Sequence, residues 1–283
     1  MNKEKKRFLR CKDFTVSQQE FDLLYNEEFD MLETFPQPLA SELPMYYESE
    51  NYISHTDASR NLVEKIYQVV KKFTLKRKLR LINSFHTEEK ELLDIGCGTG
   101  DFMLICKKNG WNVTGVEPGE KASLIAKDKL NQNSIFTEII NLPEKQFDVI
   151  TLWHVLEHIP NTQFYIQRLK EKLKPNGILI IAVPNFKSYD ANYYGAFWAA
   201  FDVPRHLWHF SKTAIQKLFS IQKMKIEKIL PMWFDSFYVS ILSEKYKKGS
   251  TNFVKAFCIG LLSNLKAITS KEASSLIYVI KNL

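Results

Sequence analysis

Covalent staples are scarce in this chain. Among 283 residues there are four cysteines, Cys11, Cys97, Cys106 and Cys258, set far apart. No C-x-x-C pair offers a zinc site and no dense framework offers disulfides, which excludes a small cross-linked scaffold and fits a reducing compartment. Long apolar runs are missing too. The most apolar stretches, residues 178–183 and 253–262, fall short of the roughly 20 residues that a membrane span needs. Short-period repeats and low-complexity tracts are absent, which excludes solenoids and compositionally biased linkers. The opening MNKEKKRFLRCKDF is basic but lacks the apolar centre of a signal peptide. No export is expected, and the cytoplasm is the expected location.

What is present is ordinary globular usage, 45% hydrophobic and 25% charged, in a chain long enough to bury a core without metal or disulfides. The net charge is +7, with the excess concentrated in residues 3–12 and 71–80. Such runs suit a solvated, lysine-rich helix face, so neither nucleic acid nor a membrane span is expected as a partner. Oligomeric state is left open.

Turn signals at Pro36, Pro38 and Pro44 amid charges and aromatics predict irregular structure with one short helix over the first 51 residues. Residues 1–56 are expected to be an N-terminal extension, with Tyr52 and His55 facing inward from a lid. From Asp57, a candidate N-cap, Leu62, Val63, Ile66, Tyr67, Val70 and Phe73 recur at helical spacing. Strand and helix patterns then alternate through residues 91–95, 101–108, 112–116, 121–130, 134–137, 147–152, 162–173 and 178–183. Repeated β-α-β units imply a parallel sheet with helices on both faces. An aromatic loop to His209, a helix opening at Ser211, a strand at 225–230, a helical insertion at about 232–270 and a β-branched run at 276–280 complete a domain expected to span residues 57–283.

The most informative segment is Leu92-Leu93-Asp94-Ile95-Gly96-Cys97-Gly98-Thr99-Gly100-Asp101-Phe102. An apolar strand ends in an acid, turns through three glycines and enters a helix. Glycine permits the positive φ of such a turn and, lacking Cβ, lets the backbone approach a ligand. The spacing differs from the G-x-G-x-x-G of dinucleotide binders, and Asp94 would repel a pyrophosphate resting on the helix N-terminus. A cationic ligand is expected instead; S-adenosylmethionine has an ammonium, a sulfonium and no phosphate. The second strand ends at Gly115-Val116-Glu117-Pro118-Gly119, with a carboxylate where Rossmann-like folds hold ribose hydroxyls. Asp148 reads equally as a structural acid or a ligand contact and is left out of the site.

Five segments in order, LLDIGCGTGDF, GVEPG, FDVITLWHVLEHIP, LKPNGILIIAVPN and DVPRHLWHFS, covering residues 91–210, resemble the class I S-adenosylmethionine-dependent methyltransferases, in the ubiquinone-biosynthesis-like O-methyltransferase branch. The resemblance implies an α/β, Rossmann-like fold with a seven-stranded, mostly parallel sheet. Its last strand would be antiparallel, with residues 276–280 as the candidate. The expected cofactor site comprises Asp94, Gly96, Cys97, Gly98, Gly100, Glu117 and Pro118, while Trp153, His154 and Val155 are implied to line the methionine and adenine part of the pocket.

Methyl transfer is an in-line displacement, so alignment dominates and a base matters only where an acceptor hydroxyl must lose its proton. Histidine suits that role near neutral pH. His206 is the candidate base and His158 the second candidate catalytic residue. If helical, His154 and His158 share a face with Glu157 nearby. In the resembling family an E-x-x-E-H pattern here marks divalent-metal dependence; this chain reads His154-Val155-Leu156-Glu157-His158, and no metal is assigned. Arg205 is expected either to hold an anionic acceptor group or to pair with Asp202. The loop Tyr193-Tyr194-Gly195-Ala196-Phe197-Trp198 and the stretch 253–262 suggest an apolar cover over the acceptor, with core packing of those aromatics as the more ordinary explanation. The expected reaction is methylation of an unidentified small-molecule acceptor of apolar character, at oxygen or carbon. An RNA methyltransferase and a non-catalytic S-adenosylmethionine-binding module are the alternatives.

Overall fold

Alternating burial governs the first part of the chain, against the expectation of irregular structure. The computed structural model describes residues 6–39, 41–47, 62–130 and 132–283. Strands β1 (Lys6–Lys12), β2 (Glu20–Asn26) and β3 (Met31–Phe35) form an antiparallel meander, followed by one 3-10 turn at Leu43–Tyr47. Cys11, Phe21, Leu23, Leu32 and Thr34 point inward while Arg10 and Lys12 face solvent, the period of two that a half-buried strand requires. Its turns use no proline. The Asp13 carboxylate accepts from the N–H groups of Thr15, Val16 and Ser17, and Asp30 takes a left-handed φ of 57° before β3. The prolines that signalled irregularity all follow β3.

The remaining elements are α1 (Leu62–Asn83), β4 (Glu91–Ile95), α2 (Asp101–Lys107), β5 (Asn112–Val116), α3 (Glu120–Lys129), β6 (Ile135–Phe136), β7 (Phe147–Trp153), α4 (Thr162–Lys172), β8 (Leu173–Pro184), α5 (Tyr189–Tyr194), β9 (Trp208–His209), α6 (Lys212–Ile221), β10 (Met224–Pro231), α7 (Asp235–Lys248), α8 (Phe253–Ser270) and β11 (Ser275–Asn282). Asp57, the expected cap of α1, and Tyr52 and His55 lie outside the described residues. Ser211 caps α6 as expected, its hydroxyl accepting from the Ala214 N–H.

Among the described residues, the central sheet runs in the order β10-β11-β8-β7-β4-β5-β6. β6, β5, β4, β7 and β8 are parallel, and β11 is antiparallel to both of its neighbours. This is the Rossmann-like methyltransferase architecture that the resemblance implies. Strands covered on both faces must be apolar on both. Leu93, Ile150 and Leu179 pack with Ile166 and Leu169 of α4 and Leu218 and Phe219 of α6. On the other face Leu92, Val149 and Ile180 meet Leu79 and Ile82 of α1 and Phe102 and Cys106 of α2.

Register brings the site together. Ile95 is paired with both Val116 and Leu152, and Trp153 with Ala182, so the loops after β4, β5, β7 and β8 leave the sheet at one edge, where open α/β sheets bind ligands. The meander reaches the same edge through β9, because Leu32 pairs with His209 and Glu33 with Trp208.

Candidate active site

The glycine loop is tied down at its start and open at its middle. The N–H groups of Gly96 and Cys97 both donate to the Val116 carbonyl, at 2.7 and 3.1 Å. Gly96 has φ +67°, and a Cβ there would lie 2.4 Å from Val155 Cγ2, so only glycine fits beneath the β7 loop. Gly98, at φ +54°, meets nothing within 4 Å on its Cβ side. Its N–H donates to Glu117 Oε2 at 2.8 Å, while Gly119 N–H donates to Oε1 at 2.8 Å. Burial raises the Glu117 pKa, and these two bonds oppose the rise. Gly100 precedes α2 as its N-cap, and Pro118 is exposed beside Glu117. Burial also raises the Cys97 thiol pKa, so this residue serves through its backbone.

Asp94 lies below the loop, 2% exposed, and accepts from Thr151 Oγ1 at 2.6 Å. Burial pushes its pKa up to about 7; Thr151 and Lys78 work against that rise, and Glu117 adds to it. Lys78, on α1, is a neighbour the sequence reading missed. Its ammonium sits 4.3 Å from the centre of the Trp153 ring, and burial lowers its pKa against the pull of Asp94 and Asp235. Trp153 also stands edge-on to Phe102, 5.7 Å between centroids. Asp148 is at the opposite ends of the strands, where it accepts from Glu91 N–H at 2.8 Å and from Lys174 at 3.0 Å; it is a structural acid.

The segment after β7 is not an α-helix, so His154 and His158 share no helical face. His154 takes φ +58°, and a single 3-10 turn covers Leu156–His158. The left-handed residue swings His154 toward α7, with Nε2 3.0 Å from Asp235 Oδ2 and Nδ1 3.5 Å from Glu157 Oε1. Burial lowers the His154 pKa, but Asp235 and Glu157 outweigh it and raise the value to about 9. The imidazolium therefore stabilises the fold fully below the ordinary pKa of 6.5, and this contribution is lost as pH rises through about 9. With the side chain 32% exposed, the contribution is about 2 kcal/mol. Thermal midpoints recorded from pH 6 to 10 are expected to fall across that window, and in Asp235→Asn the decline should begin nearer neutrality.

His158 and His206 do meet, rings 4.6 Å apart and edge to face. His158 Nδ1 lies 2.9 Å from Tyr47 Oη and 3.0 Å from the Arg205 carbonyl. Burial, then the neighbouring His206, lowers its pKa to about 4 and keeps it neutral. His206 Nδ1 is 2.9 Å from the Ala200 carbonyl. Glu157, 1% exposed, completes the group. Burial raises its pKa, yet His154, His206 and His158 together bring it below the ordinary carboxylate value. Neither of its oxygens has a hydrogen-bond partner among the described residues. One ligand atom from each of Glu157, His158 and His206 lies within 4.8 Å of the others, a set that could hold a metal ion and to which the sequence reading assigned none.

Arg205 holds protein, leaving no arm for an acceptor. It is 3% exposed, forks onto both Asp202 oxygens and donates to the Tyr46 carbonyl at 3.0 Å. For the aromatic loop the structure supports core packing over a cover. Tyr194 and Trp198 are core residues, with Trp198 Nε1 donating to buried Asp190 at 2.8 Å, and the large apolar side chains of α8 other than Ile259 face outward.

The profile of a family described as a methyltransferase domain matches residues 60–222. The ubiquinone biosynthesis O-methyltransferase of Coxiella burnetii (strain Dugway 5J108-111) is 34% identical over 109 residues, 35% of this chain and 47% of that protein. The protein of the same name from Histophilus somni (strain 2336) is 35% identical over 115 residues, 36% of this chain and 48% of that one. The chain thus spans about half the length of the curated relatives it matches. The crystal structure of magnesium protoporphyrin IX methyltransferase from Synechocystis PCC 6803, with S-adenosylhomocysteine bound, superposes with a TM-score of 0.56 at 17% identity, covering 84% of this chain and 97% of that one; it shares the fold. With more than half of the 283 residues inside the family profile, this chain belongs to the methyltransferase-domain family.

Proposed function

We propose that the chain is an S-adenosylmethionine-dependent methyltransferase that acts on a small-molecule acceptor of apolar character, at oxygen or carbon, in the cytoplasm. One observation carries the reading: the Glu117 carboxylate, anchored by the Gly98 and Gly119 N–H groups, lies beside the open side of Gly98. A ribose laid against the loop donates its hydroxyls to that carboxylate. Asp94 beneath the loop, its pKa pushed up to about 7 by burial, is the carboxyl that a ligand ammonium would draw into its charged form, and Trp153, His154 and Val155 are proposed to border the space. The two O-methyltransferase relatives favour a small acceptor over RNA.

Thermal unfolding tests the cofactor. A ligand present at 100 times its dissociation constant adds about 2.7 kcal/mol to native stability, which for a chain of this size raises the midpoint by roughly 5 °C or more. S-Adenosylmethionine and S-adenosylhomocysteine are expected to do so, and NADH is not. Stabilisation by NADH alone would return the loop to the dinucleotide binders.

His206 is the proposed base. Donation from Nδ1 to the Ala200 carbonyl leaves Nε2 with the lone pair that takes a proton from an acceptor hydroxyl. The buried oxygens of Glu157, ion-paired with His154 but without a hydrogen bond among the described residues, favour a second reading of the same group, in which Glu157, His158 and His206 hold a divalent cation. Carbonyl partners on Nδ1 fix both rings with Nε2 available, as in metal-bound histidines. Such an ion would supply Lewis-acid chemistry that acidifies an acceptor hydroxyl. Calorimetric titration with Mn²⁺ or Zn²⁺ separates the readings: saturable binding lost in His206→Ala supports the metal, and no binding leaves His206 as the base.

A further inference from the structure

Helix α8 is turned inside out. The residues it buries are small, Ala256, Gly260, Ser263 and Ala267, with Ile259 as the one large exception. A Cβ on Gly260 would fall 2.8 Å from Phe237 of α7, so the two helices are in close contact through this face. Val254, Phe257, Leu261, Leu262, Leu265 and Ile268 are between 41% and 75% exposed. Their spacing of three and four residues joins them into one stripe, about 20 Å long at 1.5 Å per residue. A soluble helix with a free outer face shows the reverse pattern, and an exposed apolar patch of this extent marks a contact surface.

The charges beside the stripe indicate what it contacts. No aspartate or glutamate occurs between Phe253 and Ser270. Lys247 lies over the Tyr193 ring at 5.7 Å and Lys266 over Tyr189 at 3.9 Å along one border, where Lys255, 5.5 Å from the Tyr193 ring, is neutralised by buried Glu244 at 3.2 Å. Exposed Lys248 and Lys271 extend this border past the two ends of the helix. An apolar face edged by ammonium groups matches the boundary between acyl chains and anionic headgroups. We propose that the outer face of α8 docks the protein on an anionic lipid bilayer, with the helix lying in the surface plane. The small-residue face, packed on α7, keeps the helix in the fold and rules against its crossing the bilayer. Because Asp235 at the start of α7 holds His154, the docking face is joined rigidly to the rim of the candidate active site.

The test is sedimentation of the full chain with vesicles of phosphatidylcholine containing one quarter phosphatidylglycerol, against phosphatidylcholine alone. The expected result is pelleting with the anionic vesicles, weakened by salt. In Leu261→Ser/Leu265→Ser the partition coefficient should fall about tenfold or more, at an unchanged thermal midpoint and with an unchanged response to S-adenosylmethionine. Lys247→Gln/Lys266→Gln should lose the preference for anionic lipid. Failure of the wild type to pellet, or pelleting of the leucine variant at the wild-type level, overturns the proposal. So does a wild-type dimer, seen by light scattering, that fails to pellet and that the leucine variant dissolves, since a second copy then covers the stripe.

Discussion

Replacing Glu117 with alanine is expected to weaken S-adenosylmethionine binding by roughly 10²- to 10⁴-fold. Two hydroxyl-to-carboxylate hydrogen bonds at about 1.5–3 kcal/mol each account for that range. The ligand-free fold should suffer far less. Glu117 is partly buried, with its pKa raised by desolvation, so removing it relieves a cost that offsets the lost bonds from Gly98 and Gly119. Calorimetry gives the dissociation constant, and the thermal midpoint without ligand gives the stability. A large loss of affinity at nearly constant stability identifies a ligand-holding carboxylate. Equal affinity in the two proteins would move the ribose away from β5, and loss of both quantities together would make Glu117 a brace for the glycine loop.

Asp202→Ala is expected to destabilise the fold by about 3 kcal/mol, the lower end of the range for stranding a buried charge. Arg205 is 3% exposed and would keep only the Tyr46 carbonyl and the more distant Asp13, 3.8 Å away. At about 2–4 °C per kcal/mol for a domain of this size, the midpoint should drop roughly 6–12 °C. Asp202→Asn should lose less, since asparagine keeps an acceptor and tolerates the left-handed backbone at φ 38°. Urea unfolding checks both variants. An Asp202→Ala protein as stable as the wild type would show that Asp13 alone suffices as counter-ion for Arg205.

The central sheet was legible because its strands are covered on both faces: Leu92-Leu93 and Val149-Ile150 must be apolar at every position, and the glycines between β4 and α2 punctuate them. The N-terminal meander was harder to see. Phe21, Leu23 and Tyr25 alternate as a strand should, but only one face is buried, and the strand that closes the sheet, β9, is two residues long and comes from far along the chain. The prolines after β3 dominated the local signal. Within the candidate site, the glycine turn after β4 and the carboxylate after β5 were readable from local pattern. Lys78, Asp235 and Tyr47 were not. Lys78 belongs to a basic run in which Lys76, Arg77 and Arg80 are exposed, and only the packing of α1 against β4 singles it out. The condition set for His154 and His158, a helical segment, is not met, because a left-handed residue and one 3-10 turn follow β7.

The hydrogen bonds from Thr34 Oγ1 to the His206 carbonyl, 2.6 Å, and from Arg205 to the Tyr46 carbonyl join segments that are far apart in the gene but adjacent at the mouth of the site. Exchange of the stretch from Asp202 to His209 between relatives, done alone, would leave the meander without its closing strand. Swapping the first 47 residues alone would leave the stretch unsupported. The two distant segments can therefore be exchanged between relatives only as a pair.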